Sequence, residues 1–385
     1  MVLTRQTGFV MVLLAILFFP AKVLCQTGQL PDIGDGGPAV MARLFRPQGV
    51  AIDIKRDIYI ADGGHNRIRK IDHATGIIST LNYNEREADG SLSARWIIDF
   101  PRRLAFDKAG NLYVMANQTA GAGIIIYRID ALTHLITTVA GGGELEAVDG
   151  ALATSLHLWR GMEMLPDSSG GLYIAINSQN IYYGHWTNRD ILAIFKVDAA
   201  TGAISRVAGS GQRGSHGDGG PAVSAELSNI SGMAADAKGI LYIADQTSCV
   251  IRKVNFRGII ARVAGRPDHC QSTGDNGPAI RAGFRAPSSI VIDKAGNLYV
   301  ADYGSIRRID ARTRLITTLG MDEKIDARRA LSSQAHTDSA RLMPVDGLAL
   351  NASGALYIVD AFHSVIRKID SSGLTTVAGR PWVLM

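Results

Sequence analysis

The sequence predicts an all-β fold, a β-propeller of six four-stranded antiparallel blades. A unit of about 60 residues recurs six times along the chain. Each unit carries four short runs of β-branched and aromatic residues, bounded by turn signals such as Asp-x-x-Gly-Asn and Asp-x-x-Thr-Gly. No stretch keeps a helical 3.6-residue apolar period over a useful length. Four-stranded units repeated radially are the pattern of a propeller, in which no blade buries both its faces alone.

The first strand block starts at Gly49, Arg103, Gly161, Gly232, Ser289 and Gly347, at spacings of 54, 58, 71, 57 and 58 residues. It reads GVAIDIKRDIYIAD in the first unit and SIVIDKAGNLYVAD in the fifth. A second block follows, as in RIRKID and VIRKID, and then an outer ending such as LITTVAG. GDGGPAV precedes units 1 and 4, and GDNGPAI precedes unit 5. Blades are expected at about 34–84, 89–143, 148–211, 217–267, 274–322 and 326–381. Gly34 to Gln48 is expected across the seam where blade 6 packs on blade 1.

Residues 1–25 read as an export signal. Arg5 gives a basic start, Phe9 to Phe19 is an apolar run of eleven residues, and Pro20 ends it. Eleven residues are too few to span a hydrocarbon core, which needs about 20. A short membrane anchor is the other reading. Cleavage is expected near Cys25-Gln26, although Leu24 fits the small-residue rule poorly. The remainder, 26–385, is expected to be a single exported propeller, secreted or periplasmic, monomeric and without stable membrane insertion. Losing Arg5 and Lys22 takes the formal charge from +5 to +3. There is no polybasic run, so no nucleic-acid partner is expected. An apolar fraction of 46% excludes a disordered chain.

The grammar LFRPQGVAID, DIYIADGGHNRIRKID, TGIISTL closely resembles the NHL repeat. The resemblance covers about residues 34 to 381, and is strong in blades 1, 4, 5 and 6 and weaker in 2 and 3. It implies a six-bladed propeller and little about function, because such folds serve many partners.

With antiparallel strands A to D, the A–B and C–D turns share a lower face. The B–C and D-to-A loops share an upper face, and being long and variable they are the expected binding surface. Strand B ends in Asp62, Asp245, Asp302 and Asp360, and strand C holds Arg69, Arg252, Arg307 and Arg367. Both charges vanish together in blade 2 (Ala116, Tyr127) and blade 3 (Ile176, Phe195). This reads as cross-strand Asp–Arg pairs; a carboxylate ring holding a metal is the other reading. Blade 3 has the longest B–C loop, Asn177 to Asp190, with Tyr182, Tyr183, His185 and Trp186. Such a loop either binds a ligand or buries its own rings. Arg102, Arg103, Trp159 and Arg160 lie beside it, at the expected upper channel mouth with Gln48, Ser231, Ser288 and Asp346. They suit a carboxylate-bearing ligand, or form a solvated rim.

These features point to a binding module for a protein, peptide or glycan, with no cofactor and no metal. The alternative is a metal-dependent enzyme: some secreted propellers similar to this one are lyases, and related shapes are lactonases, with a metal at the channel mouth. His65, His157, His185, His216, His269, His336 and His363 fall on upper loops, but without zinc-ligand spacing. The GDGGPA loops hold one Asp each, too few for a calcium loop, and read as tight turns. Cys249 and Cys270 are a candidate disulfide. Asn117, Asn229 and Asn351 begin Asn-x-Ser/Thr sequons.

Overall fold

The computed structural model describes residues 33–83, 85–86, 92–93, 98–118, 123–158, 163–177, 191–267, 269–319, 342 and 345–380. The expected export signal lies outside them. The described strands form six four-stranded sheets, each antiparallel in chain order A-B-C-D, plus a two-stranded hairpin between blades 1 and 2. The innermost strands are Pro47–Ile52, Asp99–Phe106, Glu163–Pro166, Ile230–Ala235, Pro287–Ile292 and Gly347–Leu350.

Each blade is sandwiched, so the period-2 alternation of its strands feeds two cores rather than one core and solvent. In strand B of blade 1, Ile58 and Ile60 enter a cluster shared with Tyr357, Val359 and Ile366 of blade 6. Ala61, one residue on, enters a cluster with Leu104, Val114 and Ala116 of blade 2. Further clusters join blades 2 with 3, 3 with 4, 4 with 5 and 5 with 6. Burial therefore lies between blades, which is why the ring has to close.

Closure uses backbone as well as side chains. Gly379 N donates to Ala39 O at 3.0 Å and Arg380 N to Ala42 O at 3.0 Å. The joint between blades 3 and 4 has the same pair of bonds, Gly209 N to Ala222 O at 2.9 Å and Ser210 N to Ala225 O at 2.7 Å. The expected seam segment, Gly34 to Gln48, makes these contacts.

Two expectations about placement need correction. The D-to-A connections do not stay on the upper face. Gly36 N bonds Ile78 O at 2.8 Å and Ala39 N bonds Gly76 O at 3.0 Å, so the GDGGPA segment runs down the outer strand to the C–D turn. It caps an edge whose amides and carbonyls would otherwise face water or another chain. In blade 3 the register also differs from the alignment on Gly161. Glu163 lies opposite Ala175, as Gly49 lies opposite Ala61 and Arg103 opposite Met115. Glu163, and not Gly161, thus holds the inner-strand glycine position.

Candidate binding site on the upper face

In blades 1, 4 and 5 the buried aspartate at the end of strand B caps the chain that enters the inner strand. Asp62 Oδ1 accepts the amide of Phe45 at 2.7 Å. Asp245 Oδ1 accepts those of Ser228 at 3.1 Å and Asn229 at 3.3 Å, and Asp302 Oδ1 those of Arg285 and Ala286, both at 2.8 Å. The other oxygen is used differently in each blade. Asp62 Oδ2 faces His65 Nδ1 at 2.9 Å, Asp360 faces His363 Nδ1 at 2.8 Å, and Asp302 Oδ2 accepts the hydroxyl of Ser272. In blade 4 the Oδ2 of Asp245 has no hydrogen-bond partner among the described residues. Burial pushes this carboxyl up to about 6, against the Asn229 and Ser228 amides and the charge of Arg252.

The arginine column sits diagonally to the aspartates: Arg69 pairs in register with Ile60, and Asp62 with Arg67. Arg69 Nη1 is 3.4 Å from Asp62 and Arg367 Nε is 2.9 Å from Asp360. Arg252 and Arg307 are 3.9 and 3.8 Å from Asp245 and Asp302. In blades 1, 4 and 5 the nearer carboxylate belongs to the GDGGPA loop. Asp35, Asp218 and Asp275 approach Arg69, Arg252 and Arg307 to 2.7, 2.8 and 2.8 Å. Each arginine also donates to backbone carbonyls of that segment, such as Glu226 O and His216 O for Arg252. The fixed fork of a guanidinium suits this work of holding a loop through several acceptors. Sequence reasoning saw only turns in these loops. The available signal was that the GDGGPA-type loops precede three of the arginine-bearing blades.

On this constant frame the upper surface changes from blade to blade. The residue entering strand A meets the B–C loop of its own blade. In blade 1 this is Phe45, whose ring is 5.8 Å from that of His65 and fills the space a Cβ on Gly64 would need. In blade 4 it is Ser228, whose hydroxyl is 2.9 Å from that of Ser248. In blade 5 it is Arg285, stacked 3.6 Å from the centroid of Tyr303. Phe45, Tyr303 and Phe362 are 41%, 48% and 71% exposed. The Cys249–Cys270 disulfide, with Cα atoms 5.4 Å apart, ties the B–C loop of blade 4 to the loop leaving that blade.

The channel wall carries a second polar feature. Gly49 permits close approach of inner strands, since a Cβ there would lie 2.7 Å from Arg102 O. In blades 2 and 3 the same position holds Arg103 and Glu163. Arg103 Nε and Nη2 lie 2.8 and 2.7 Å from Glu163 Oε1, and Nη1 donates to Gln48 O at 3.0 Å. Burial pushes the Glu163 carboxyl up against the pull of Arg103. Burial opposes the Arg103 charge, yet Glu163 and Asp346 hold its pKa above the ordinary value. The charge of Arg103 is thus paired on the wall where the inner strands of blades 2 and 3 meet. Ser231 and Ser288, at the neighbouring position, donate to Pro287 O and Val345 O of the next blade at 2.6 and 2.8 Å.

Of the residues expected in the binding site, Tyr182, Tyr183, His185, Trp186, Trp159 and Arg160 lie outside the described residues, as does His336. Asn177, which opens the long loop of blade 3, binds Ile230 of blade 4 through both ends of its amide, at 2.7 and 3.0 Å. Among the described residues no group of three or more His, Cys, Asp or Glu is placed to hold a metal. No helix among them is long and apolar enough to cross a membrane.

The teneurin NHL domain model matches residues 22–212, 164–273 and 263–339. Human teneurin-4 is 28% identical over 295 residues, covering 71% of this chain and 8% of the relative. Zebrafish (Danio rerio) teneurin-3 is 26% identical over 314 residues, covering 74% of this chain and 9% of the relative. The chain thus spans about a tenth of the length of the curated relatives it matches. Among solved structures, a protein of unknown function from Bacteroides thetaiotaomicron superposes with a TM-score of 0.56 at 15% identity, covering 87% of this chain and 72% of the other. A gluconolactonase from Xanthomonas campestris gives 0.50 at 12% identity, covering 87% of each. These structures share the fold. The sequence match carries the assignment, and the chain belongs to the teneurin NHL domain family.

Proposed function

We propose that this chain is an exported, monomeric binding module that recognises a protein, peptide or glycan through its upper loop face without a cofactor. The observation that carries the reading is the contrast between frame and surface. One buried Asp–Arg frame recurs under the upper loops, while the side chains it supports change from Phe45 on His65 to Ser228 on Ser248 to Arg285 on Tyr303. Loops that vary on a rigid scaffold are where recognition concentrates. The sequence between Asn177 and Leu192, the B–C connection of blade 3, contains Tyr182, Tyr183, His185 and Trp186, which this reading assigns to the binding surface.

The test is a screen of the whole chain against glycan and peptide arrays, repeated after deleting Tyr182 to Trp186. Capture should be lost while the thermal midpoint stays nearly unchanged. Unchanged capture would remove blades 2 and 3 from the site. Elemental mass spectrometry of the same preparation checks the chemistry: a stoichiometric metal whose removal lowers stability would move the reading to a metal-dependent lyase or lactonase.

A further inference from the structure

Blades 5, 6, 1 and 2 are consecutive around the closed ring, and their upper face carries exposed rings and guanidinium groups. Arg285 lies flat on Tyr303, and Arg46 lies 6.0 Å from the centroid of Phe100. Neither guanidinium has a hydrogen-bonding partner among the described residues. Both arginines are exposed. Phe45 of blade 1 and Phe362 of blade 6 each lie against a histidine turned by a buried aspartate.

The backbone under these groups is unusual. Arg46, Phe100 and Tyr303 have φ of 50°, 43° and 46°, left-handed values that bulky side chains rarely adopt. Such residues are strained and persist where the surroundings impose them. Chain adjacency does not explain the stacks. Arg257 over Phe256, on the lower C–D turn of blade 4, is a pair of sequence neighbours. Arg46 with Phe100 and Arg285 with Tyr303 each bring together separate segments.

The aspartates beneath these rings are turned inward. Asp62, Asp302 and Asp360 are at most 1% exposed and point their oxygens inward to amides, His65, His363 and Ser272. Exposed Arg285, over the Tyr303 ring, and exposed Arg46, 6.0 Å from the Phe100 centroid, set positive charge beside this aromatic surface. A guanidinium held on a ring keeps its fork for a carboxylate, and little side-chain entropy is lost when one binds.

We propose that the arc formed by Arg46, Phe100, Phe45, Phe362, Arg285 and Tyr303 is a docking surface for an acidic, aromatic-bearing segment of a protein. The inference rests on the upper-face reading and supplies its partner class. Carboxylates of the partner pair with Arg46 and Arg285, and its apolar side chains cover Phe45 and Phe362. Aromatic and arginine anchors of this kind dominate protein interfaces.

The experiment uses the full chain and three immobilised probes: a peptide of alternating Glu and Tyr, its Lys counterpart, and hyaluronan. The Glu–Tyr peptide should bind, and its affinity should fall as salt rises from 50 to 500 mM. Arg285→Ala and Tyr303→Ala should each weaken it at least about tenfold, as should Arg46→Ala, whereas Phe256→Ala on the lower face should leave it unchanged. All four positions are exposed, and the thermal midpoint serves as the folding control. Preference for the Lys peptide or for hyaluronan, still sensitive to Tyr303→Ala, would overturn the acidic-segment inference and keep the upper-face reading. Binding abolished by Phe256→Ala and indifferent to the upper variants would overturn both. No binding to any probe would overturn the inference.

Discussion

Arg252 lies 2.8 Å from Asp218 of the loop on the blade rim and 3.9 Å from Asp245, the aspartate expected to be its partner. The guanidinium is fully buried and Asp218 is 35% exposed. The arginine is therefore a rivet between the blade and the segment covering its outer edge, with Asp245 a more distant counter-charge.

Removing the loop carboxylate should therefore be costly. Asp218→Ala leaves a buried guanidinium short of its nearest counter-charge, and a loss of about 3 kcal/mol is expected in chemical unfolding. The double variant Asp218→Ala, Arg252→Met should recover much of that loss, because the unpaired charge goes with the arginine. If the single and double variants are equally unstable, the rivet is not what holds the rim.

Asp245 makes stability depend on pH in the opposite sense to a normal salt-bridged aspartate. Its carboxyl is pushed up to about 6 by burial, from 3.8. Between those values the unfolded chain has released this proton and the folded chain still holds it. The contribution is thus full below 3.8 and is lost as pH rises through about 6, for a total of roughly 3 kcal/mol. Asp245→Asn keeps the acceptor for the Ser228 and Asn229 amides and cannot ionise. Urea midpoints from pH 3.5 to 7.5 should fall less steeply for this variant than for the parent.

The channel pair predicts non-additivity. Glu163→Gln should cost about 2–4 kcal/mol by leaving Arg103 enclosed without its carboxylate. Arg103→Gly with Glu163→Gly restores the residue found in blades 1, 4 and 6 at this position, and should cost less than the two single changes together. Equal additivity in thermal melts would show that the two side chains are not coupled.

Much of this architecture is written in short range. Ile58-Tyr59-Ile60 and Leu298-Tyr299-Val300 announce strands because β-branched and aromatic residues suit a pleated surface buried on both sides. Blade 3 departs from this pattern. Gly161-Met162 mimics the Gly49-Val50 start of the other units, and the true register shows only when Leu165 is set opposite Tyr173. The paired loss of Asp and Arg in blades 2 and 3 was visible, but the third member was not. Asp35 and Asp218 stand more than 30 residues from Arg69 and Arg252, and only the folded rim brings them together. Phe45 and Arg285 were hidden in the same way: their role depends on which loop lies beneath them, and sequence spacing does not say.

The joint between blades 6 and 1 is made with the same two backbone bonds as the joint between blades 3 and 4. Mechanically the propeller is a hoop whose clasp is built like one of its links. A chain nicked at Gln212 would meet the same non-covalent joint there that already holds the hoop shut at Gly379. Circular permutants opened at that link and fused at the other should fold to the same ring.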